Sequence, residues 1–302
     1  MTSPMTPTPP IPPGRPGGTR PGRKLGPIAD SVGGAHRAWL EPVREAHLAS
    51  GRTLGDLSVS VRLAKSKLSE LLRGTGLYPR WEIVLSLAAE FGLPDCPLYR
   101  LWRRAALDAH KSRDWVERSG EKASLTTSHT APPMDHLAFR QLVEEHYLRY
   151  AQCFLDDQIC ESTVADCFDV LWLCWNDALA SPDTRRFCWQ VVRATVMSRT
   201  PHLNGRPELA VAAFDTVALW EAGTQEAGEC QFDESVRLFR TISRLPAQQQ
   251  DVVVLRHLCG LSPRQTSALL GVSPAAVRSD ERHARRFLEI HCPPTIEGNP
   301  SV

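Results

Sequence analysis

Four arginines near the C-terminus, Arg278, Arg282, Arg285 and Arg286, recur at spacings of four, seven and eight from the first. On an α-helix those intervals bring side chains to one face and its margin. A cationic helix face suits phosphate oxygens and base edges in the major groove of duplex DNA. A second set, Lys65, Ser66, Lys67, Ser69 and Arg73, offers short polar and cationic groups on the outer side of a predicted helix, suited to the same surface. Residue types that perform covalent chemistry are not gathered anywhere. The sequence holds no Gly-rich phosphate loop, no His-Glu-x-x-His and no Gly-x-Ser-x-Gly, and its ten histidines are scattered. No enzymatic role, cofactor or metal centre is expected.

Nine cysteines are present, none as Cys-x-x-Cys, and Cys153, Cys160, Cys167 and Cys174 recur every seven residues. Along one helix that interval separates thiols by roughly 10 Å. One zinc ion or one disulfide cannot bridge it, so these cysteines read as small buried apolar residues.

The arginine face needs a helix held at a fixed angle to a second one, and the preceding residues supply the punctuation. Ser262-Pro263-Arg264-Gln265 reads as an N-cap, a first-turn proline and a capping-box glutamine. Gly271 supplies the tight turn, with small Ser267 four residues earlier where the helices cross. Ser273-Pro274 opens the second helix, and Leu269, Leu270, Val272 and Val277 bury the pair. The N-terminal set sits in a similar frame. Leu54, Leu57 and Val61 lie one turn apart on a first helix, with Ser58 at the crossing. The turn falls at Arg62–Leu63, Leu63 plugs the corner, and the second helix packs through Leu68, Leu71 and Leu72. Trp81, Val84, Leu85, Ala88 and Phe91 then form a closing helix.

From Ser243 to Leu288 the chain resembles region 4 of the sigma-70 family in its extracytoplasmic-function style. The Leu245-Pro246 entry, an apolar helix, Gly260-Leu261-Ser262 and Gly271-Val272-Ser273 followed by Val277-Arg278-Ser279 carry the resemblance. It implies recognition of the promoter −35 element, with Ser273, Ala275, Arg278, Ser279 and Arg282 facing the groove. Asp280 stands where the family usually has a basic residue, and Glu281 where it usually has Leu. An unpaired buried carboxylate is costly, so Glu281 is expected to pair with Arg278 or Arg285. Residues 38–95 resemble the Cro/repressor-type helix-turn-helix family, with Arg62 at the usual glycine of the turn and Ala64 at the usual Ser or Asp cap. Loss of that cap is expected to cost about 1 kcal/mol.

The middle of the chain is similar to sigma region 2. In the stretch Cys160–Trp172, Glu161, Val164, Asp166, Phe168, Leu171 and Trp172 match in type and spacing the helix that docks on the polymerase clamp. The resemblance implies Glu161, Asp166, Phe168 and Trp172 as polymerase-binding residues. Ser162, Ala165, Val196 and Thr200 depart from the family's usual Asp, Gln, Asn and Asp. Strand opening needs cations and stacking faces. Arg185, Arg186, Arg193 and Arg199 are the available cations, while Trp189 reads first as a core residue.

Charge is distributed in blocks. Residues 1–120 hold 18 Lys/Arg against 11 Asp/Glu, residues 121–236 hold 8 against 18, and residues 237–302 hold 9 against 5. Basic ends and an acidic middle suggest DNA-facing termini and a protein-facing centre. No apolar run approaches the roughly 18 residues that span a bilayer, and the N-terminus lacks the pattern of a secretory signal. A cytoplasmic, nucleoid-associated protein without membrane contact is expected.

The expected fold is all-α, with three small helical domains joined by linkers. A disordered Pro/Gly-rich tail covers 1–35, a Cro/repressor-like domain 36–118 and a linker 119–134. A region 2-like domain follows at 135–200, then a connector at 201–235 with a helix near Leu209–Trp220, a region 4-like domain at 236–290 and a tail at 291–302. The resemblances imply a sigma-like transcription factor whose partners are double-stranded promoter DNA, core RNA polymerase and an anti-sigma or other regulatory protein. Two alternatives stay open: a sigma-derived regulator that no longer supports initiation, and a protein-interaction adaptor.

Overall fold

The computed structural model describes residues 25–121, 131–210 and 236–292. Arg20, Arg23, Lys24, most of the expected linker, nearly all of the expected connector helix and the end of the C-terminal tail lie outside the described residues. The fold is all-α. Six helices build the N-terminal unit: α1 (Gly34–Ala49), α2 (Leu54–Ser60), α3 (Lys65–Leu72), α4 (Trp81–Phe91), α5 (Asp95–Asp108) and α6 (Arg113–Glu121). Four more follow: α7 (Met134–Gln152), α8 (Asp157–Leu173), α9 (Trp175–Ala180) and α10 (Thr184–Met197). After a helical stretch at 236–242, α11 (Ala247–Val253) runs into a π-helical turn, Val254–Leu258, and α12 (Pro263–Leu270) and α13 (Pro274–His291) are the last described helices.

Among the described residues the exception to helix is a two-stranded antiparallel hairpin, β1 (His202–Leu203) with β2 (Arg206–Pro207), pairing His202 with Pro207 and Leu203 with Arg206. Its turn residues Asn204 and Gly205 have φ of 53° and 75°. Asn-Gly is the pair that most readily takes two left-handed residues in succession, so the turn rather than strand patterning makes this hairpin.

Two apolar clusters hold the described residues. One belongs to α1–α6 and includes Trp39, Leu57, Leu68, Trp81, Leu101 and Trp102, all buried. Trp39 Nε1 donates to Tyr78 Oη at 3.1 Å, Tyr78 Oη donates to the Trp102 carbonyl at 2.7 Å, and Trp102 Nε1 donates to the Pro79 carbonyl at 3.0 Å. These two indoles therefore enter the core with their polar atoms satisfied, as buried aromatic N–H and O–H groups require. The second cluster joins α7–α10 to α11–α13 without a break, from Tyr147 and Phe168 through Trp189 to Val254, Leu270, Val277 and Ala284. Cys160 and Cys167 lie in it, and burial pushes their thiols up to about 11 and about 12, as expected of cysteines acting as small core residues. Cys153 caps the end of α7 and lies on a different helix from Cys160 and Cys167.

Burial gives the N-terminal unit a pH dependence. His36 stacks on Trp39 with ring centroids 5.1 Å apart, and burial lowers its pKa from 6.5 to about 4. His47 is lowered in the same unit, first by burial and then by Arg44. Between these folded values and 6.5 the unfolded chain binds protons that the folded chain does not, so stability falls as pH drops below about 6.5. The melting temperature of the wild type is expected to fall between pH 7 and pH 5, and His36→Gln is expected to flatten that slope. Parallel slopes in a calorimetric pH series would refute the assignment.

Candidate nucleic-acid interface

The C-terminal pair of helices is built by local hydrogen bonds. Ser262 Oγ accepts from Gln265 N at 3.3 Å while Gln265 Oε1 accepts from Ser262 N at 2.9 Å, a reciprocal cap with Pro263 in the first turn of α12. At the other end Gly271 takes φ 63° and ψ 39°. Glycine is required there for a second reason. A Cβ on Gly271 would lie 2.3 Å from Arg186 N and 2.8 Å from Arg186 Cα, so the turn rests directly on the first turn of α10. Ser267 is buried at the crossing, where its Oγ donates to the Val272 carbonyl at 2.6 Å and its own carbonyl accepts from Val272 N at 3.2 Å. Ser273 Oγ accepts from Ala276 N at 3.1 Å and opens α13.

Along α13 the buried positions are Val277 and Ala284, seven residues apart and so on one side. Arg278, Arg282, Arg285 and Arg286 are placed toward solvent with Ser273 and Ala275, Arg278, Arg282, Arg285 and Arg286 being exposed, while Ser279 is half-buried. The helix thus presents an open arginine surface beginning one turn from its capped N-terminus. That end carries the partial positive charge of the helix dipole, which adds to the attraction for phosphate. Glu281 pairs with neither Arg278 nor Arg285. Its Oε1 lies 3.3 Å from Arg256 Nε and 3.2 Å from His257 Nε2, both in the π-helical turn behind α13. Half-buried on the inner flank, Glu281 meets the side chains packed there, and the arginines on the outer face stay free of it. Asp280 is half-buried, and burial raises its carboxyl pKa.

At the opposite end of the chain α2 and α3 form a second pair with a short turn. Thr53 caps α2 reciprocally with Asp56, at 3.2 Å for Asp56 N to Thr53 Oγ1 and 3.0 Å for Thr53 N to Asp56 Oδ2. Arg62 adopts φ 53° in the turn, the left-handed geometry that glycine takes most cheaply. Leu63 is half-buried against the core, and Leu63 N donates to the Ser58 carbonyl at 3.2 Å. Lys65, Ser66, Lys67 and Arg73 are exposed and Ser69 is half-buried. Lys67 Nζ is 2.8 Å from Glu70 Oε2, so part of its charge is answered within the helix. Ala64 occupies the N-cap of α3 and makes no side-chain cap. Ala64→Ser is expected to stabilise the N-terminal unit by about 1 kcal/mol, read as a raised denaturation midpoint. An unchanged or lowered midpoint would show that the position does not act as a cap.

Residues 235–288 match the family model described as Sigma-70, region 4. The segment is similar to sigma-70 region 4. The match supports a relationship to the sigma-70 family and a sigma-factor-like, DNA-binding role in transcription for this segment, DNA and RNA polymerase being the general partners of region 4. The match begins just before the helical stretch at 236–242 and ends within α13, so it contains every cap, turn and arginine of the C-terminal pair. No curated protein and no solved structure matches the chain.

The middle of the chain places its singled-out residues differently. Glu161 is exposed on α8. Asp166 is 1 % exposed, and Arg104 and Arg199 both bind it. Phe168 is buried against α7, stacked on Tyr147 with centroids 5.8 Å apart. Trp172 is buried and lies under Arg100. Trp189 is a core residue, its Nε1 donating to Asp251 Oδ2 at 3.0 Å. Of the four middle cations, Arg193 donates from Nε to both oxygens of Asp251 at 2.9 Å, Arg199 binds Asp166, and Arg185 Nη1 donates to the Ala268 carbonyl at 3.2 Å. Arg186 is exposed. Asp169, Asp251, Arg100 and Arg104 order this region, and none stands out in the sequence, because each has its partner on a distant helix. Among the described residues no helix is long and apolar enough to cross a membrane.

Proposed function

We propose that this chain is a sigma-70-type transcription initiation factor of the extracytoplasmic-function kind. In this reading α13 reads the promoter −35 element through Ser273, Ala275, Arg278, Ser279 and Arg282, with Arg285 and Arg286 on neighbouring phosphates. The α8 region engages core RNA polymerase through Glu161, Asp166, Phe168 and Trp172. The N-terminal unit, a Cro/repressor-like helix-turn-helix, adds a second duplex contact through Lys65, Ser66, Lys67, Ser69 and Arg73. The protein acts by binding and carries out no covalent step. One observation supports this reading above the others: the exposed arginine face of α13, capped by Ser273, within the segment that matches region 4.

A second reading has its own support. With Asp166 bound by two arginines and Arg193 and Arg199 answered by carboxylates, the middle unit is short of free groups for polymerase and single-stranded DNA. A sigma-derived regulator that binds DNA through both ends and no longer starts transcription would have such a middle. Reconstituted transcription with core polymerase on a genomic library separates the two readings. Factor-dependent transcripts with a stable factor–polymerase complex establish the first. Salt-dependent, sequence-selective DNA binding without either leaves the regulator.

A further inference from the structure

The N-terminal unit is seated on α8, the helix that the polymerase reading needs. α5 runs along it. Arg100 Nε donates to both carboxylate oxygens of Asp169 at 3.0 Å, and the same guanidinium lies 5.4 Å from the Trp172 ring centroid. One turn further along α5, Arg104 Nη1 donates to Asp166, which Arg199 of the middle unit also holds from its other oxygen, and, at 2.6 Å, to the Ser162 carbonyl. Leu173 is buried in the N-terminal core, with Val170 packed beside it. A second point of contact fixes the orientation. α1 begins against the end of α10, where a Cβ on Gly34 would lie 2.9 Å from the Ser198 carbonyl oxygen and 3.2 Å from Ser198 Cβ.

The joint differs in kind from the interior of either unit. The cluster that unites α7–α10 with α11–α13 takes no residue from the N-terminal unit, and of the buried N-terminal cluster only Leu173 comes from beyond α6. What crosses the joint is an apolar anchor, Leu173 with Val170, and two ion pairs, whose arginines remain 48 % and 32 % exposed at their side chains, against 9 % and 1 % for Asp169 and Asp166. Two units whose cores share only this small apolar anchor can part without either unfolding. Parting returns both members of each pair to water together, so hydration offsets much of the attraction that is lost. The covalent connection between α6 and α7 keeps the local concentration of α5 high, so the seam closes by default.

We infer that the N-terminal unit is an intramolecular mask over α8: the acidic and aromatic face formed by Asp166, Asp169 and Trp172 accepts α5 in cis or the polymerase surface in trans, one at a time. This inference rests on the polymerase reading of α8. It also gives the arginine pair on α5 a task distinct from DNA contact. α5 stands in for a partner that offers cations one helical turn apart beside an aromatic-binding surface. Polymerase affinity is then scaled down by the fraction of molecules that are open, and anything that holds the N-terminal unit elsewhere, duplex DNA on α3 included, raises it.

The test uses the full chain. In a protein carrying Gly34→Cys and Ser198→Cys, the two Cβ atoms fall within a few tenths of an ångström of the span a disulfide bridges. Oxidised glutathione closes the bond and dithiothreitol reopens it, with bond formation followed by intact mass. The mask predicts that the oxidised protein binds core polymerase at least about tenfold more weakly than the same protein reduced. It also predicts that Arg100→Glu with Arg104→Glu binds more tightly than the unsubstituted chain by a similar factor. Equal binding of oxidised and reduced protein overturns the mask. Should the two cysteines fail to join, the charge-reversed chain decides alone: binding no tighter than that of the unsubstituted chain overturns the mask. If the charge-reversed chain binds no polymerase at all, the polymerase reading of α8 falls, and the mask with it.

Discussion

Asp251→Ala is expected to lower the free energy of unfolding by roughly 3–5 kcal/mol, the range for removing one partner from a buried ion pair. Asp251 is 3 % exposed. Its carboxylate accepts from Tyr150 Oη at 2.8 Å, from Trp189 Nε1 at 3.0 Å and from Arg193 Nε at 2.9 Å. Burial raises the carboxyl pKa, and Arg193, Trp189 and Tyr150 pull it back down, so the site holds a charge that only its donors make tolerable. Alanine would leave an indole N–H and a phenol O–H without their acceptor in the core, and the Arg193 guanidinium, a quarter exposed, with Gln250 and water alone, and each orphaned buried group adds its own penalty. Asp251→Asn keeps the volume and part of the hydrogen bonding but leaves Arg193 unneutralised, so its effect should be intermediate. Glu144→Ala, which removes an exposed one-turn pair with Arg140, should change stability by no more than about 1 kcal/mol. Denaturant unfolding of the three variants checks the order. If Asp251→Ala and Glu144→Ala shift the midpoint equally, the carboxylate is not a buried hub.

Asp251 also shows where the sequence stops being readable. It lies on α11, within the region 4 match, while Tyr150 lies on α7 and Trp189 and Arg193 lie on α10. Nothing local marks an aspartate whose phenol partner is 101 positions away. The same holds for Arg100 with Asp169 and Arg104 with Asp166. Each side is an ordinary pair of like charges about a helical turn apart, and only the docking of α5 on α8 makes them complementary. The readable features are those whose physics is short-range. Ser262 with Gln265, Ser273 with Pro274, left-handed Gly271 and small Ser267 form their bonds within five residues, and all take the roles their spacing predicts.

Short range alone is not enough in two places. The Asn204-Gly205 hairpin is locally encoded, but its two-residue strands are too brief for alternation to show. For Glu281, helical spacing points to arginines of its own helix. Spacing gives neighbours along a face and says nothing of what packs against the flank, where Arg256 and His257 wait. The all-α class is readable because periodicity is a property of each segment. The continuous core joining α7–α10 to α11–α13 is not, because it depends on which segment packs against which.

Arg278→Ala with Arg282→Ala is expected to weaken binding to a selected duplex by roughly 1–3 kcal/mol per residue, about fivefold to 150-fold each, if both arginines make paired hydrogen bonds with base edges. The side chains are exposed, and the buried stripe of α13 is Val277 and Ala284, so helix content and melting temperature should stay at the wild-type values. That separation lets weaker binding be read as a missing interaction with DNA rather than as damage to the fold. Arginines that read bases should take with them the preference between sequences, with random DNA bound almost as before. Arginines that hold phosphates should weaken binding to all sequences alike and lower the salt slope by about one unit for each phosphate no longer neutralised. Arg285 and Arg286, further from the capped end of α13, are expected to follow the second pattern, as are Lys65 and Lys67 on α3. Titrations of each variant against selected and scrambled duplexes at several salt concentrations distinguish the two classes. Should Arg278→Ala with Arg282→Ala bind the selected duplex as tightly as the wild type, α13 is not the recognition helix, since these are the two arginines of that helix nearest its capped N-terminal turn.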